Sequence, residues 1–84
     1  SAEVGIEKPD PAILSLACNQ LEVQPGRAVY VGDHPLDVVC SKRAGLRSIW
    51  IAPEFAWMPD GVTETPDWRV TSIERVLDLL PGPA

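Results

Sequence analysis

The chain has 84 residues, of which 45% are hydrophobic and 23% charged, and its formal net charge is −5. Its seven lysines and arginines are scattered, which argues against binding to nucleic acid or to an anionic membrane. No apolar run approaches the roughly 20 residues of a membrane-spanning helix, and residues 1–4 do not resemble a signal peptide. We therefore expect a cytoplasmic protein with neither a nucleic acid nor a membrane as partner.

The first two predicted elements are a helix and a strand. Asp10 and Pro11 are typical of a helix start, with the acid as N-cap and proline in the first turn. Residues 28–32 then predict a buried strand, and Gly32 is expected to let the backbone turn as it leaves the sheet. The apolar face of the helix is formed at helical spacing by Ile13, Leu14, Ala17, Cys18 and Leu21.

The remaining elements alternate between helix and strand. Pro35 begins a second predicted helix, and Gly45 is placed to cap its C terminus. Residues 47–52 predict a second strand with Trp50 in the core, and the Pro- and Gly-rich residues 53–66 predict a long loop. Residues 68–70 predict a third strand, and a capping box at 71–74 begins a last helix. This order predicts the α/β class, with a small parallel sheet flanked by helices.

Two cysteines and two tryptophans receive structural interpretations. Cys18 and Cys40 fall in helical patterns without metal-ligand spacing, so we expect reduced, buried thiols rather than a disulfide. Trp57 and Trp68 stand on either side of an acidic segment. We expect them to pack against the edge of the domain rather than to contact a substrate.

Two carboxylates mark the end of the first predicted strand. Asp33 follows this strand directly, and Asp37 comes four residues later. Ligands of open parallel sheets bind at the carboxyl ends of the strands, and carboxylates suit a hard cation such as Mg²⁺. Each acid also has a purely structural explanation, since Asp33 could cap the next helix and Asp37 could stabilise its first turn. His34, between them, is expected to be an exposed loop residue.

The motifs stand in a definite order. Ile-Glu-Lys-Pro-Asp-Pro at residues 6–11 precedes a helix, Val-Gly-Asp-His-Pro-Leu-Asp at 31–37 follows a strand, and Ala-Gly at 44–45 precedes the next strand. This arrangement resembles the C-terminal half of the Rossmann-like core of a haloacid dehalogenase-like (HAD) hydrolase, over nearly the whole chain. The resemblance implies a Mg²⁺ site with Asp33 as direct ligand and Asp37 as a second ligand, directly or through water. It also implies that Lys8 steadies the nucleophile and the phosphoryl group.

The resemblance further implies a reaction class. Phosphatase-like members typically carry Gly-Asp-x-x-x-Asp, as residues 32–37 do, whereas metal-independent dehalogenases usually place serine and asparagine in that motif. It therefore implies Mg²⁺-dependent hydrolysis of a phosphate monoester, with a small phosphorylated metabolite as substrate. The substrate itself is not readable, because in this family it is selected by a cap that has no counterpart in the sequence.

The family's nucleophile motif, Asp-x-Asp, does not occur in the sequence, and neither does its upstream serine or threonine motif. We therefore expect residues 1–84 to form a single partial core domain, inactive alone and associating with itself or with an N-terminal half. The alternative is a non-catalytic α/β module that binds metal, phosphate or a protein. A receiver or dinucleotide-binding domain fits less well, because no glycine fingerprint opens a strand-to-helix turn.

Overall fold

The structure is a computed structural model that describes residues 10–80. Within this range the three strands are all parallel and lie in the order β1-β2-β3. The prediction of an α/β fold with a small parallel sheet is confirmed. In chain order the elements are α1 (Ala12–Leu21), a 3₁₀ turn (Pro25–Arg27), β1 (Val29–Gly32), α2 (Pro35–Arg43), β2 (Arg47–Ile51), β3 (Trp68–Val70) and α3 (Ile73–Leu79).

One row across the sheet faces α2. Gly32 of β1 is in register with Trp50 of β2, and Trp50 with Arg69 of β3. Trp50 packs against Val38 of α2, and the Arg69 guanidinium lies 4.9 Å from the centre of the Trp50 ring. The indole is almost completely buried, which confirms Trp50 as a core residue.

A second cluster lies between α1, α2 and the start of β2. It is formed by Leu14, Cys18, Cys40 and Leu46, all buried. Both cysteines are free thiols, as the sequence predicts. Leu21, by contrast, is exposed although it belongs to the predicted apolar face. The helix ends at this residue, and Glu22 leaves it in the left-handed conformation with φ of 58°.

Of the predicted helix ends, the start of α1 is shifted by one residue, the end of α2 is confirmed and the start of α3 is wrong. The N-cap of α1 is Pro11, so Asp10 and Pro11 each stand one position earlier than predicted, although the Asp10 carboxylate accepts a hydrogen bond of 2.9 Å from the Ala12 amide. Gly45 follows α2 with φ of +85°, a conformation that side chains rarely adopt. The capping box at residues 71–74 is not formed. Ser72 is the N-cap of α3, so Glu74 stands one position too early to close the box.

The connection between β2 and β3 has a fixed in-and-out alternation. Ala56 and Met58 pack against the cluster around Trp50, whereas Phe55 and Trp57 point outward. Trp57 is 82% exposed, so the prediction that it packs against the domain is wrong. A turn at residues 54–55 precedes this segment, and the two neighbours of Trp57, Ala56 and Met58, are the partly buried residues instead. Trp68 is half-buried in β3.

Two ion pairs tie the end of α2 to the segment before β3. Lys42 lies 2.9 Å from Asp67, and Arg43 lies 2.9 Å from Glu64. Asp67 also accepts a hydrogen bond of 2.8 Å from the backbone amide of Ser48. The hydrogen bond from Lys42 lowers the pKa of Asp67, and the hydrogen bond from Arg43 lowers the pKa of Glu64.

We expect the Asp67 contact to make stability depend on acid pH. Because folding lowers the pKa of Asp67, its contribution is present above the unfolded value of about 3.9 and is lost as the pH falls through the folded value. Asp67→Asn should therefore flatten the fall in Tm between neutral pH and about pH 3, measured by circular dichroism. Lys42→Gln should flatten it in the same way, and unchanged slopes in both variants would contradict the assignment.

No helix within residues 10–80 combines the length and apolar character required to cross a membrane.

Candidate active site at the end of strand β1

Asp33 stands at the carboxyl end of β1, as predicted. It follows Gly32, the last residue of the strand, and its side chain is exposed. Among residues 10–80 its carboxylate has no hydrogen-bond or ion-pair partner. The N-cap of α2 is His34 and not Asp33, so Asp33 has no capping role. Nothing in the described part of the chain occupies its carboxylate oxygens, so they are available to a ligand there.

Asp37 occupies the third position of α2 and is buried, with 5% of its surface exposed. One carboxylate oxygen accepts a hydrogen bond of 3.2 Å from the His34 amide, and the other accepts one of 3.4 Å from the Tyr30 hydroxyl. An acid in the first turn is also favoured by the helix dipole. The structural explanation of Asp37 is therefore confirmed, and these bonds also fix where its carboxylate lies.

Gly32 lies directly against Asp37. A Cβ atom on Gly32 would stand 2.5 Å from the Asp37 Cβ and 2.7 Å from its Cγ, distances that real atoms do not reach. The glycines with positive φ in residues 10–80 are Gly45 and Gly61, and Gly32 is not among them. The chain does bend at residues 33–34 after Gly32, but without the left-handed conformation that favours glycine, so packing gives the clearer reason for Gly32. Its missing side chain makes room for the carboxylate of Asp37.

His34 has a role that the sequence analysis missed. It is exposed, as predicted, but its Nδ1 accepts a hydrogen bond of 3.0 Å from the Leu36 amide. Together with the bond from its own amide to Asp37, this forms a capping box. The signal was present in the sequence: a polar residue, proline, and an acid three positions after the polar residue. Histidine is not among the preferred N-cap residues, so the pattern was not recognised.

The carboxylates present fit a Mg²⁺ site in which the protein supplies only part of the coordination shell. Mg²⁺ takes one or two carboxylates from the protein and completes its shell with water and substrate oxygens. Within residues 10–80 no group of three His, Cys, Asp or Glu side chains is placed to hold a metal. Asp33, exposed and without a partner among residues 10–80, is the residue that fits direct coordination. Lys8, the predicted catalytic lysine, lies outside the described residues.

A separate groove of about 630 Å³ lies between β3 and α3. Arg69 and Arg75 line it together with Glu54 and Asp78, so opposite charges balance along its walls. Asp33 and Asp37 do not contribute to this groove. It is therefore distinct from the pair of carboxylates at the end of β1.

Comparison with known proteins places these motifs in a family. The profile of a family described as haloacid dehalogenase-like hydrolase matches residues 1–51. A phosphoserine phosphatase from Thermus thermophilus is 38% identical over 77 residues, which cover 90% of this chain and 30% of that protein. A glyceraldehyde 3-phosphate phosphatase from Methanopyrus kandleri is 35% identical over 83 residues, which cover 95% of this chain and 36% of that protein.

A solved structure gives a third comparison. The 2-haloacid dehalogenase from Pseudomonas syringae pv. Tomato is 35% identical, with a TM-score of 0.76 over 92% of this chain and 33% of that one. The chain thus spans about a third of the length of the proteins it matches. These relatives comprise two phosphatases and a dehalogenase.

Proposed function

The chain belongs to the haloacid dehalogenase-like hydrolase family, and we propose that it contributes half of the active site of a Mg²⁺-dependent phosphatase. The substrate of the complete protein would be a small phosphorylated metabolite. The observation that carries this proposal is the carboxylate of Asp33 at the end of β1, which is exposed and has no partner within the described range, four residues before the buried carboxylate of Asp37. The phosphatases among its relatives support the same chemistry.

In this proposal each residue has a defined task. Asp33 holds Mg²⁺ directly, and Asp37, fixed by the His34 amide and the Tyr30 hydroxyl, is the second ligand, directly or through water. When bound, Mg²⁺ supplies positive charge against the phosphoryl oxygens, which is the main requirement of phosphoryl transfer. Lys8 adds a second positive charge and steadies the nucleophile.

The nucleophile has to come from outside these residues. The sequence contains no Asp-x-Asp pair, so we propose that residues 1–84 alone form a partial core domain without turnover. Covalent catalysis without its nucleophile keeps only the supporting electrostatics. A partner segment carrying that motif would complete the site.

Carbon–halogen hydrolysis is a second candidate, because a 2-haloacid dehalogenase is among the structural neighbours. The contact between Gly32 and Asp37 favours the phosphatase. Any side chain at position 32, including the serine usual in metal-independent dehalogenases, would collide with Asp37 as it stands here.

A non-catalytic metal-binding module is a further alternative. It would share Asp33 and Asp37, but it would not become active when a segment carrying the nucleophile is added.

We expect Asp33→Asn to weaken binding of Mg²⁺ or Mn²⁺ at least tenfold, because it removes a charged oxygen ligand. Titration of the full chain followed by NMR measures this, with chemical-shift changes for Mg²⁺ and line broadening for Mn²⁺. Asp60→Asn, which changes an exposed acid of the β2–β3 loop, is the matched control and should bind like the wild type. Equal responses in the wild type and Asp33→Asn would remove Asp33 from the site.

A further inference from the structure

His34 joins the end of β1 to the start of α2 through two hydrogen bonds. Its Nδ1 accepts from the Leu36 amide at 3.0 Å, and its own amide donates to the Asp37 carboxylate at 3.2 Å. The residue itself has extended backbone angles, with φ of −110° and ψ of 143°. Both hydrogen bonds lie within residues 34–37, the turn that connects Asp33 to Asp37.

We propose that His34 is a positioning residue for this pair of carboxylates. Its side chain closes the first turn of α2 and thereby holds Asp37 against Gly32, while Asp33 is left exposed at the end of the strand. The placement of Asp37 follows from geometry alone. The consequence for metal binding rests on the proposed function.

The hydrogen bond also fixes the state of the imidazole. Because Nδ1 accepts from the Leu36 amide, it carries no hydrogen, and the ring hydrogen is on Nε2. Only an acceptor at this point is needed to close the turn. Asparagine supplies a side-chain oxygen at an N-cap and is one of the preferred residues there, whereas alanine supplies none.

In the first turn of α2, Pro35 has no amide hydrogen and the Asp37 amide donates to the His34 carbonyl at 2.9 Å. The Leu36 amide is therefore the group that the His34 side chain serves, and removing the cap leaves that amide without this partner and favours local opening of the turn. The Tyr30 hydroxyl also bonds to Asp37, but at 3.4 Å it is a long contact. The cap therefore acts together with the other contacts of Asp37 in fixing its carboxylate.

The test compares His34→Ala with His34→Asn in the full chain. Asp10→Ala is the matched control, because it removes the side-chain hydrogen bond at the start of α1. In His34→Ala we expect the Leu36 amide to exchange with solvent about fivefold faster, the effect of losing an average cap. We also expect a change in the ¹³C shift of the Asp37 carboxyl and severalfold weaker line broadening by Mn²⁺ at residues 33–37. His34→Asn should restore all three, and Asp10→Ala should leave them unchanged.

Two results would overturn the proposal. If His34→Asn behaves like His34→Ala, the imidazole acts in some way other than as a cap. If Leu36 exchange and the Asp37 carboxyl shift are the same in all variants, His34 does not position Asp37. Failure of the metal proposal is distinguishable, because the wild type and Asp33→Asn would then respond alike to Mn²⁺. The exchange rate and the carboxyl shift would still decide the role of His34.

Discussion

Replacing Gly32 with alanine is expected to destabilise the chain by about 1–3 kcal/mol, as overpacking of a close contact does. The added methyl would stand 2.5 Å from the Asp37 Cβ, and this neighbour belongs to the backbone end of its side chain rather than to a flexible tip. Relief therefore requires α2 to move away from β1. Such a shift would carry Asp37 away from Asp33, so we expect metal binding to fall with stability.

Gly26→Ala is the matched control for this experiment. Gly26 lies in the 3₁₀ turn, and a Cβ there would meet no atom within 4 Å. We expect this variant to be neutral or to gain up to about 1 kcal/mol from a stiffer unfolded chain. Urea denaturation measures both variants, and Mn²⁺ titration by NMR measures the site. If the two alanine variants are equally stable, Asp37 does not constrain position 32.

The two glycines also show what the sequence alone could predict. Gly45 was assigned correctly, because a glycine after a helical pattern is a local signal for the left-handed cap. The role of Gly32 depends on how α2 approaches β1, and no spacing in the sequence describes that distance. The position of Asp33 was predictable because it requires only the end of a strand. The burial of Asp37 and its bond to the Tyr30 hydroxyl required the packed helix.

The apolar periodicity of the sequence predicts which face of each helix is apolar, but not which residues of that face are buried by a neighbouring element. Leu36 stands at an apolar position of the helical pattern of α2, and Ile73 and Leu77 stand at apolar positions of α3, yet all three are exposed in the described chain. Val39 and Val76, from the same two patterns, are buried. A repeat of 3–4 residues specifies which face is apolar. Which of its residues meet a neighbouring element is set by tertiary packing, which is not a local property.

The second large effect is expected at the free edge of β1. Within residues 10–80 this strand pairs only with β2, and its first residue, Val29, is 39% exposed. The loop that could have covered the edge packs elsewhere, since Ala56 and Met58 lie against the Trp50 cluster. Unpaired strand edges are templates for pairing with another chain, and no lysine or proline interrupts β1.

We therefore expect the chain to associate at low micromolar concentration. Its β1 strand would pair either with β1 of a second copy or with a segment that completes the enzyme. Val29→Lys should shift sedimentation to the monomer, because a charge on an edge strand opposes pairing. Leu16→Lys is the matched control: Leu16 has the same exposure of 39% but lies on α1. Circular dichroism separates lost association from lost folding.

The same variants decide between the two occupants of the edge. A segment that pairs with β1 and carries the missing nucleophile should dissociate the wild-type oligomer when added in trans. The segment and a second copy of the chain would compete for the same backbone amides and carbonyls of β1. It should also bring phosphatase activity that Asp33→Asn lacks. A wild-type chain that is folded and monomeric without any partner would contradict the expectation, and would mean that the β1 edge is protected within the chain itself.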